Sequence, residues 1–544
     1  MRRWTAVVGA ACVLTGVVSA MWPAPTVLAH ASLQSSIPAP ASVLDEAPDA
    51  LVLDFDEAIE ADIASIQLFD AAQEVVAIDA PTGSASDDTV VSADLPELDD
   101  GTYAVVWRVA SVDGHVVDGA FAFQIGDAST ADQDLLVQEV SDGVAADPSV
   151  DRLATAARLL VFAGLVLLVG AGAHLLLAGD VSVPGRSRRL PVVGAVLVAV
   201  GGAAVFGLHA AAVRAGGVGD AFSAGAWSDI TGTSTGQAML LRVPLAAALG
   251  ALMFAFDRRA TAWWRSLAVV LAVALLFTFP AAGHPAGESP QALWSLVDAV
   301  HLAAIALWLG GLILFAVGGR WWLDHDADDT GADVPVRRFS RMATVLLPVI
   351  VATGVAQTLK LAGGVDTLTD TGWGRRLLVK VSVVSVLIAI GAVSRWLLHN
   401  VGPASIRRTV VAEAVLGVVV LAVTASLVSL PPEAGTRSDV FSATLTEAGL
   451  IVDITVTPGA VGLDEVHLIL TPPGGSLTPV AGVTARMALP ERDIPNQPVT
   501  FDPTGANHYT GRVTLPYSGA WTLELLVEVT AGNTVLLTAT VPIP

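Results

Sequence analysis

Residues 159–178 read Leu159-Leu-Val-Phe-Ala-Gly-Leu-Val-Leu-Leu-Val-Gly-Ala-Gly-Ala-His-Leu-Leu-Leu-Ala178, without one Asp, Glu, Lys or Arg. About 20 apolar residues in a helix cross the hydrocarbon core of a bilayer, so this stretch is long enough to span. Similar segments recur near 190 to 213, 237 to 256, 265 to 282, 292 to 318, 342 to 361, 376 to 398 and 409 to 430, and the first extends back to about 153. Eight transmembrane helices are expected. Over half of the 544 residues are hydrophobic, too many for an ordinary string of soluble domains. The formal charge of -23 comes from acidic residues crowded toward the two ends, which makes nucleic acid an unsuitable partner.

Positive charge orients the bundle. Arg186, Arg188 and Arg189, then Arg258, Arg259 and Arg265, then Arg320, Arg337, Arg338 and Arg341, then Arg395, Arg407 and Arg408 fall in alternate connections, which are therefore the cytoplasmic ones. With eight spans, both flanking regions then lie outside. Residues 1–29 read as a signal peptide: Arg2 and Arg3, an apolar run, and Val27-Leu-Ala29 at the positions a signal peptidase inspects. Cleavage after Ala29 removes Cys12, the one cysteine, and with it any thiolate chemistry. It also makes His30 the N-terminus, where a free amine and an imidazole can chelate one ion together. Nitrogen donors in that arrangement suit Cu(II).

Residues 30–126 alternate apolar and polar at period two in Leu51-Val-Leu-Asp-Phe55, Ile66-Gln-Leu-Phe69, Tyr103-Ala-Val-Val-Trp-Arg-Val109 and Ala120-Phe-Ala-Phe-Gln-Ile125, the signature of a small β-sandwich. Between the last two strands, Asp113 and His115 flank Gly114. Side chains at i and i+2 of such a turn can converge on one ion, and the glycine relieves the backbone. Taken alone, Asp-Gly-His is also an ordinary β-turn.

Four stretches carry a family resemblance: His30-Ala-Ser-Leu-Gln-Ser-Ser-Ile-Pro-Ala39, Phe55-Asp-Glu-Ala-Ile59, Gly101-Thr-Tyr-Ala-Val-Val-Trp-Arg-Val-Ala-Ser-Val-Asp-Gly-His115 and Gly119-Ala-Phe-Ala-Phe123. Together they resemble the CopC family of periplasmic copper carriers. The resemblance implies a Cu(II) site formed by the His30 amine and imidazole, the His115 imidazole and the Asp113 carboxylate. Residues 30–150 contain no methionine, so the Cu(I) site of some members is not expected in this domain.

In the membrane region, Gly283-His-Pro285, Asp298-Ala-Val-His-Leu-Ala-Ala-Ile-Ala-Leu-Trp-Leu-Gly-Gly-Leu312, Arg338-Phe-Ser-Arg-Met-Ala343, Thr353-Gly-Val355, Gly374-Arg-Arg-Leu-Leu-Val-Lys380 and the run from Arg408 to Glu413 resemble the CopD family of inner-membrane copper proteins. The whole is similar to CopC-CopD fusions of the YcnJ type, which implies copper uptake or homeostasis at the plasma membrane.

An ionisable residue inside a membrane is a functional candidate by default. His209, His284 and His301 all fall in the outer half of the bundle under this orientation and form a candidate relay, with Met239 as a soft ligand for Cu(I). Asp298, three residues before His301, is placed to fix its tautomer. Arg242 and Lys380 read as snorkelling cations, Glu413 as the partner of a cytoplasmic-side arginine, and Gly310-Gly311 as a close helix contact. His209 equally suits an interfacial helix end.

Residues 127–151 form an acidic linker, 152–431 the bundle, and 437–544 a second, immunoglobulin-like β-sandwich of unreadable role. The expected fold is therefore mixed and multidomain. No Walker lysine loop or Asp-Lys-Thr-Gly motif is present, so copper movement would follow a gradient or depend on a membrane reductase or an intracellular acceptor. A copper-dependent oxidase is disfavoured because Asp113 would fill the position that oxygen needs. A haem carrier would require histidines facing each other at equal depth on two helices. Sequestration or sensing without transport is the non-catalytic alternative.

Overall fold

The computed structural model describes residues 33–543 except 39–42, 45, 56, 85–86, 127–135, 138, 142–146, 178–184, 256–260, 289, 320–334, 363–364, 431–440, 458, 460–461, 474–479, 493, 506, 516, 518 and 531–532. The signal peptide and His30 lie outside the described residues, as does most of the acidic linker.

Residues 33–125 form a two-sheet sandwich. One sheet runs in the order β1 (Leu33–Ile37), β3 (Ala50–Phe55), β7 (Val90–Asp94), β6 (Thr82–Gly83). The other runs β2 (Val43–Leu44), β9 (Val116–Ile125), β8 (Gly101–Ala110), β4 (Ser65–Phe69), β5 (Val75–Val76). Period-two alternation sends Leu51, Leu53 and Phe55 inward from β3 to meet Tyr103, Val105, Trp107, Phe121 and Phe123. Trp107 meets Phe55 edge to face, with ring centroids 5.2 Å apart, a favoured aromatic geometry.

Eight helices among the described residues are long and apolar enough to cross a membrane. They are α1 (Pro148–Leu177), α2 (Leu190–Val213), α3 (Ser234–Phe254), α4 (Ala262–Phe277), α5 (Gln291–Gly318), α6 (Pro335–Leu361), α7 (Gly372–Asn400) and α8 (Arg407–Leu427). The start of α1 is fixed by Asp147, whose carboxylate accepts the Ser149 N–H at 2.8 Å, and by Pro148 in the first turn. Their outward side chains are apolar: Val196, Val200, Val269, Val270 and Val345 are each more than half exposed, which in water would be a liability and in lipid is not. Helices α1 and α5 touch backbone to backbone. A Cβ on Gly170 would lie 1.8 Å from the Ala306 carbonyl oxygen, and one on Gly310 would lie 2.6 Å from that of Val166. The touching part of α1, Val166–Ala171, is π-helical, and such a bulge opens the ladder locally. Gly310 is thus the packing residue its small size implies.

The C-terminal region is one continuous antiparallel sheet of eight strands: β10 (Phe441–Glu447), β11 (Leu450–Thr457), β12 (Gly462–Thr471), β15 (His508–Leu515), β14 (Ile494–Gly505), β13 (Gly482–Leu489), β16 (Gly519–Thr530) and β17 (Asn533–Ile543), in that order. Strand β14 is shared by both halves, pairing with β15 on one side and β13 on the other. The sheet thus bends over itself around Trp521, Met487, Leu525 and Val541, a near-barrel form of the expected sandwich.

Candidate metal centre

The turn joining β8 to β9 belongs to the same compact unit as the helices, which comprises Ala110–Val116 with residues 146–434. Its conformation is set locally. The Ser111 N–H donates to the His115 carbonyl at 2.9 Å, the Gly114 N–H donates to the Ser111 carbonyl at 2.8 Å, and Gly114 takes φ +87°, a region glycine enters without strain. Thr235, at the start of α3, donates its hydroxyl to the Val112 carbonyl at 3.0 Å and holds the turn in place.

At this turn Asp113, His115 and His284 converge, with one ligand atom from each lying within 4.8 Å of the others. Asp113 is 3 % exposed. Its Oδ2 lies 2.9 Å from His115 Nδ1 and 3.0 Å from His284 Nδ1. Its Oδ1 accepts the Ser111 hydroxyl and, at 3.1 Å, the His115 N–H. The two imidazoles stack with centroids 4.8 Å apart and planes within 2° of parallel. His115 Nε2 faces the Val428 carbonyl at 3.1 Å. With an acceptor before each ring nitrogen, the surroundings favour the doubly protonated form of His115.

The electrostatics agree. Burial opposes ionisation of Asp113, but the two histidines override it and hold the carboxyl well below its ordinary range. For His115, burial works against protonation, and the Asp113 carboxylate overcomes it to raise the imidazole above its usual value. A buried carboxylate with two imidazoles around one point has a donor set that could hold a cation.

His284 reaches the cluster from a short 3-10 turn, His284–Ala286, between α4 and α5. Two cations brace that connection. Arg242, expected to snorkel, instead donates through one terminal nitrogen to the Thr278 carbonyl at 2.9 Å and through Nε to the Thr278 hydroxyl at 3.3 Å, and it lies 4.4 Å above the Phe279 ring centroid. Beyond His284, Lys360 of α6 approaches Glu288 at 2.7 Å, an ion contact without hydrogen-bond alignment. Glu288 is itself buried, so each charge requires the other.

The remaining sequence candidates are placed as follows. His301 is buried in α5 and its Nδ1 lies 2.7 Å from the Thr353 hydroxyl of α6. Thr353 donates its own proton to the Val349 carbonyl at 2.6 Å. The contact with Thr353 fixes the orientation of the His301 ring. The expected orienting role of Asp298 is taken by Thr353, because Asp298 accepts from Gln357 at 3.0 Å instead. An i, i+3 spacing shares a helix face but does not choose between partners on the next helix. Glu413 accepts from the Ser394 hydroxyl, a neighbour on α7, in place of the expected arginine. His209 is half-buried in α2 and outside the Asp113 cluster, and Met239 is buried in α3.

Residues 33–126 match the CopC domain, 149–292 the copper resistance protein D-like N-terminal domain, and 335–427 copper resistance protein D. Copper transport protein CutJ of Bacillus subtilis (strain 168) is 25% identical over 462 residues, 83% of this chain and 83% of that protein. Protein YobA of Escherichia coli (strain K12) is 30% identical over 102 residues, 19% of this chain and 82% of its own length. The crystal structure of CopC from Methylosinus trichosporium OB3b shares 30% identity, covering 18% of this chain and 95% of that one with a TM-score of 0.18. The chain is therefore a multi-pass membrane protein of the copper resistance family that joins a CopC domain and a CopD domain in one polypeptide and continues into a C-terminal β-sheet domain.

Proposed function

We propose that this protein captures Cu(II) outside the cell at Asp113, His115 and His284, joined by the amine and imidazole of an N-terminal His30, and passes copper inward through the bundle. The observation that carries the proposal is the meeting of a CopC-type turn and the Gly283-His-Pro motif at one carboxylate. The sequence alone suggested an outer Cu(II) site and a separate membrane relay. The geometry favours His284 as a ligand of the first site, with His301 as the next station.

The accompanying organisation is a signal peptide over residues 1–29, a copper-binding sandwich over 30–126, an acidic linker over 127–151, the bundle over 152–431 and the C-terminal domain over 437–544. Both soluble domains face outward and the arginine-rich connections inward. Copper delivered at His301 is most stable as Cu(I) if soft donors such as Met239 take part, so a membrane reductase and an intracellular acceptor are natural partners.

Copper accumulation in cells carrying His284→Ala tests the proposal together with Cu(II) titration of the purified protein. Both accumulation and affinity fall together if His284 serves capture. Unchanged Cu(II) affinity with lost accumulation returns His284 to the relay. Unchanged accumulation with weakened binding supports sequestration and overturns transport.

A further inference from the structure

The matched family models end at residue 427, ahead of the C-terminal sheet. Its two histidines are far apart in the sequence yet adjacent in the fold. Strands β12 and β15 pair antiparallel with Ile469 opposite His508 and His467 opposite Thr510, so the two histidines are diagonal neighbours. Val466, Leu468 and Leu470 point into the core, which by alternation turns His467 to the outer face. His508 is exposed on that same face. The two ring centroids are 5.9 Å apart with their planes at 90°.

We propose that His467 and His508 form a second Cu(II) site on the outer face of the C-terminal sheet. A metal–imidazole bond of about 2 Å places an ion about 3 Å from each ring centre, so two rings can share one ion with centres up to about 6 Å apart. The observed separation falls inside that limit. Two neutral nitrogen donors on a rigid, hydrogen-bonded pair of strands chelate without ordering a loop, and among divalent first-row ions Cu(II) gains most from them. Water completes the coordination, which makes this a weaker and faster-exchanging site than one holding a carboxylate.

The test is histidine carbethoxylation of the full-length protein in detergent micelles, read residue by residue by mass spectrometry with and without Cu(II). This readout is independent of copper bound elsewhere in the chain. Cu(II) protects His467 and His508 in the unaltered protein. In His508→Asn, the Cu(II) concentration that half-protects His467 rises about 100-fold, since one arm of a chelate is gone. Equal modification of both histidines with and without Cu(II) in the unaltered protein overturns the site regardless of how any variant folds. Protection of His467 that persists unchanged in His508→Asn overturns it as well.

Discussion

Gly114→Ala isolates what the turn contributes to the proposed metal site. Two separate penalties arise. The first is conformational: at φ +87° a side chain costs about 1–2 kcal/mol. The second is steric: the new methyl carbon would lie 2.8 Å from Cγ2 of Thr235, and forcing a methyl into a packed site costs about 1–3 kcal/mol. The sum is about 2–5 kcal/mol, and it must be expressed somewhere. If the turn stays in place, the strain lowers the unfolding temperature. If the turn slides off Thr235, Asp113 and His115 leave His284, and Cu(II) binding must pull them back at the same expense, about 30-fold or more in Kd. Thr235→Ser separates the two terms, because it removes Cγ2 while keeping the hydroxyl that donates to the Val112 carbonyl. The nearest remaining atom to the new methyl is then Oγ1 at 3.5 Å, an ordinary contact. The double variant should recover the steric part and keep the conformational one, so it should bind about 5- to 150-fold tighter than Gly114→Ala alone. Competition titration with a Cu(II) chelator and a thermal melt measure both outlets. A Gly114→Ala protein with unchanged Kd and unchanged melting, or a double variant no better than the single, refutes the geometry of the turn.

Asp113→Asn tests how far the Asp113 carboxylate favours protonation of His115. In the unaltered protein Cu(II) must displace that proton, so affinity should weaken about tenfold for each pH unit below the raised His115 value. In the variant the burial remains but the anion is gone, so the His115 value falls and the onset of this pH dependence moves to lower pH. At high pH the variant is weaker than the unaltered protein by more than the roughly 10–100-fold that even an indirect partner costs. Titrations across pH check both, and an identical pH profile in the variant would show that His115 is not governed by Asp113. Lys360→Met leaves buried Glu288 without its cation, which should destabilise the protein by about 3–5 kcal/mol. Adding Glu288→Gln should restore most of the melting temperature, and a single variant as stable as the parent would show that the pair does not hold the connection.

The eight spans were legible because the bilayer imposes one rule on every helix: apolar length. The start of α6 at Pro335, ahead of the expected 342, marks where that rule stops deciding, since Arg337, Arg338 and Arg341 are helical without being apolar. The strands were legible for a similar reason, as alternation reports which face is buried. What alternation cannot report is how a sheet closes, and β14 pairing on both edges follows from register and bending rather than from composition. Asp113 and His115 could be singled out because they are two positions apart in a turn. His284 could be singled out too, as a histidine in a short Gly-His-Pro connection, but not its partner, which lies 171 positions away.

The same limit explains why Arg242, Lys360 and Thr353 were missed or assigned a generic role. Hydrophobicity says only that a cation near a helix end is tolerable, whereas its task depends on what the next helix offers. Around His284 the two cations grip opposite ends of one connection, Arg242 through the Thr278 carbonyl and Lys360 through Glu288. Neither touches the cluster's carboxylate directly. A ligand on a connection of this length would otherwise swing, and a swinging imidazole gives up chelate affinity in proportion to the arrangements it samples. The buried charges are therefore best understood as a brace that keeps one imidazole at Asp113. On that account Arg242→Met should weaken Cu(II) binding without removing any ligand, while lowering affinity less than His284→Ala. A titration in which Arg242→Met binds as tightly as the parent would mean the connection holds its shape through Phe279 and backbone packing alone.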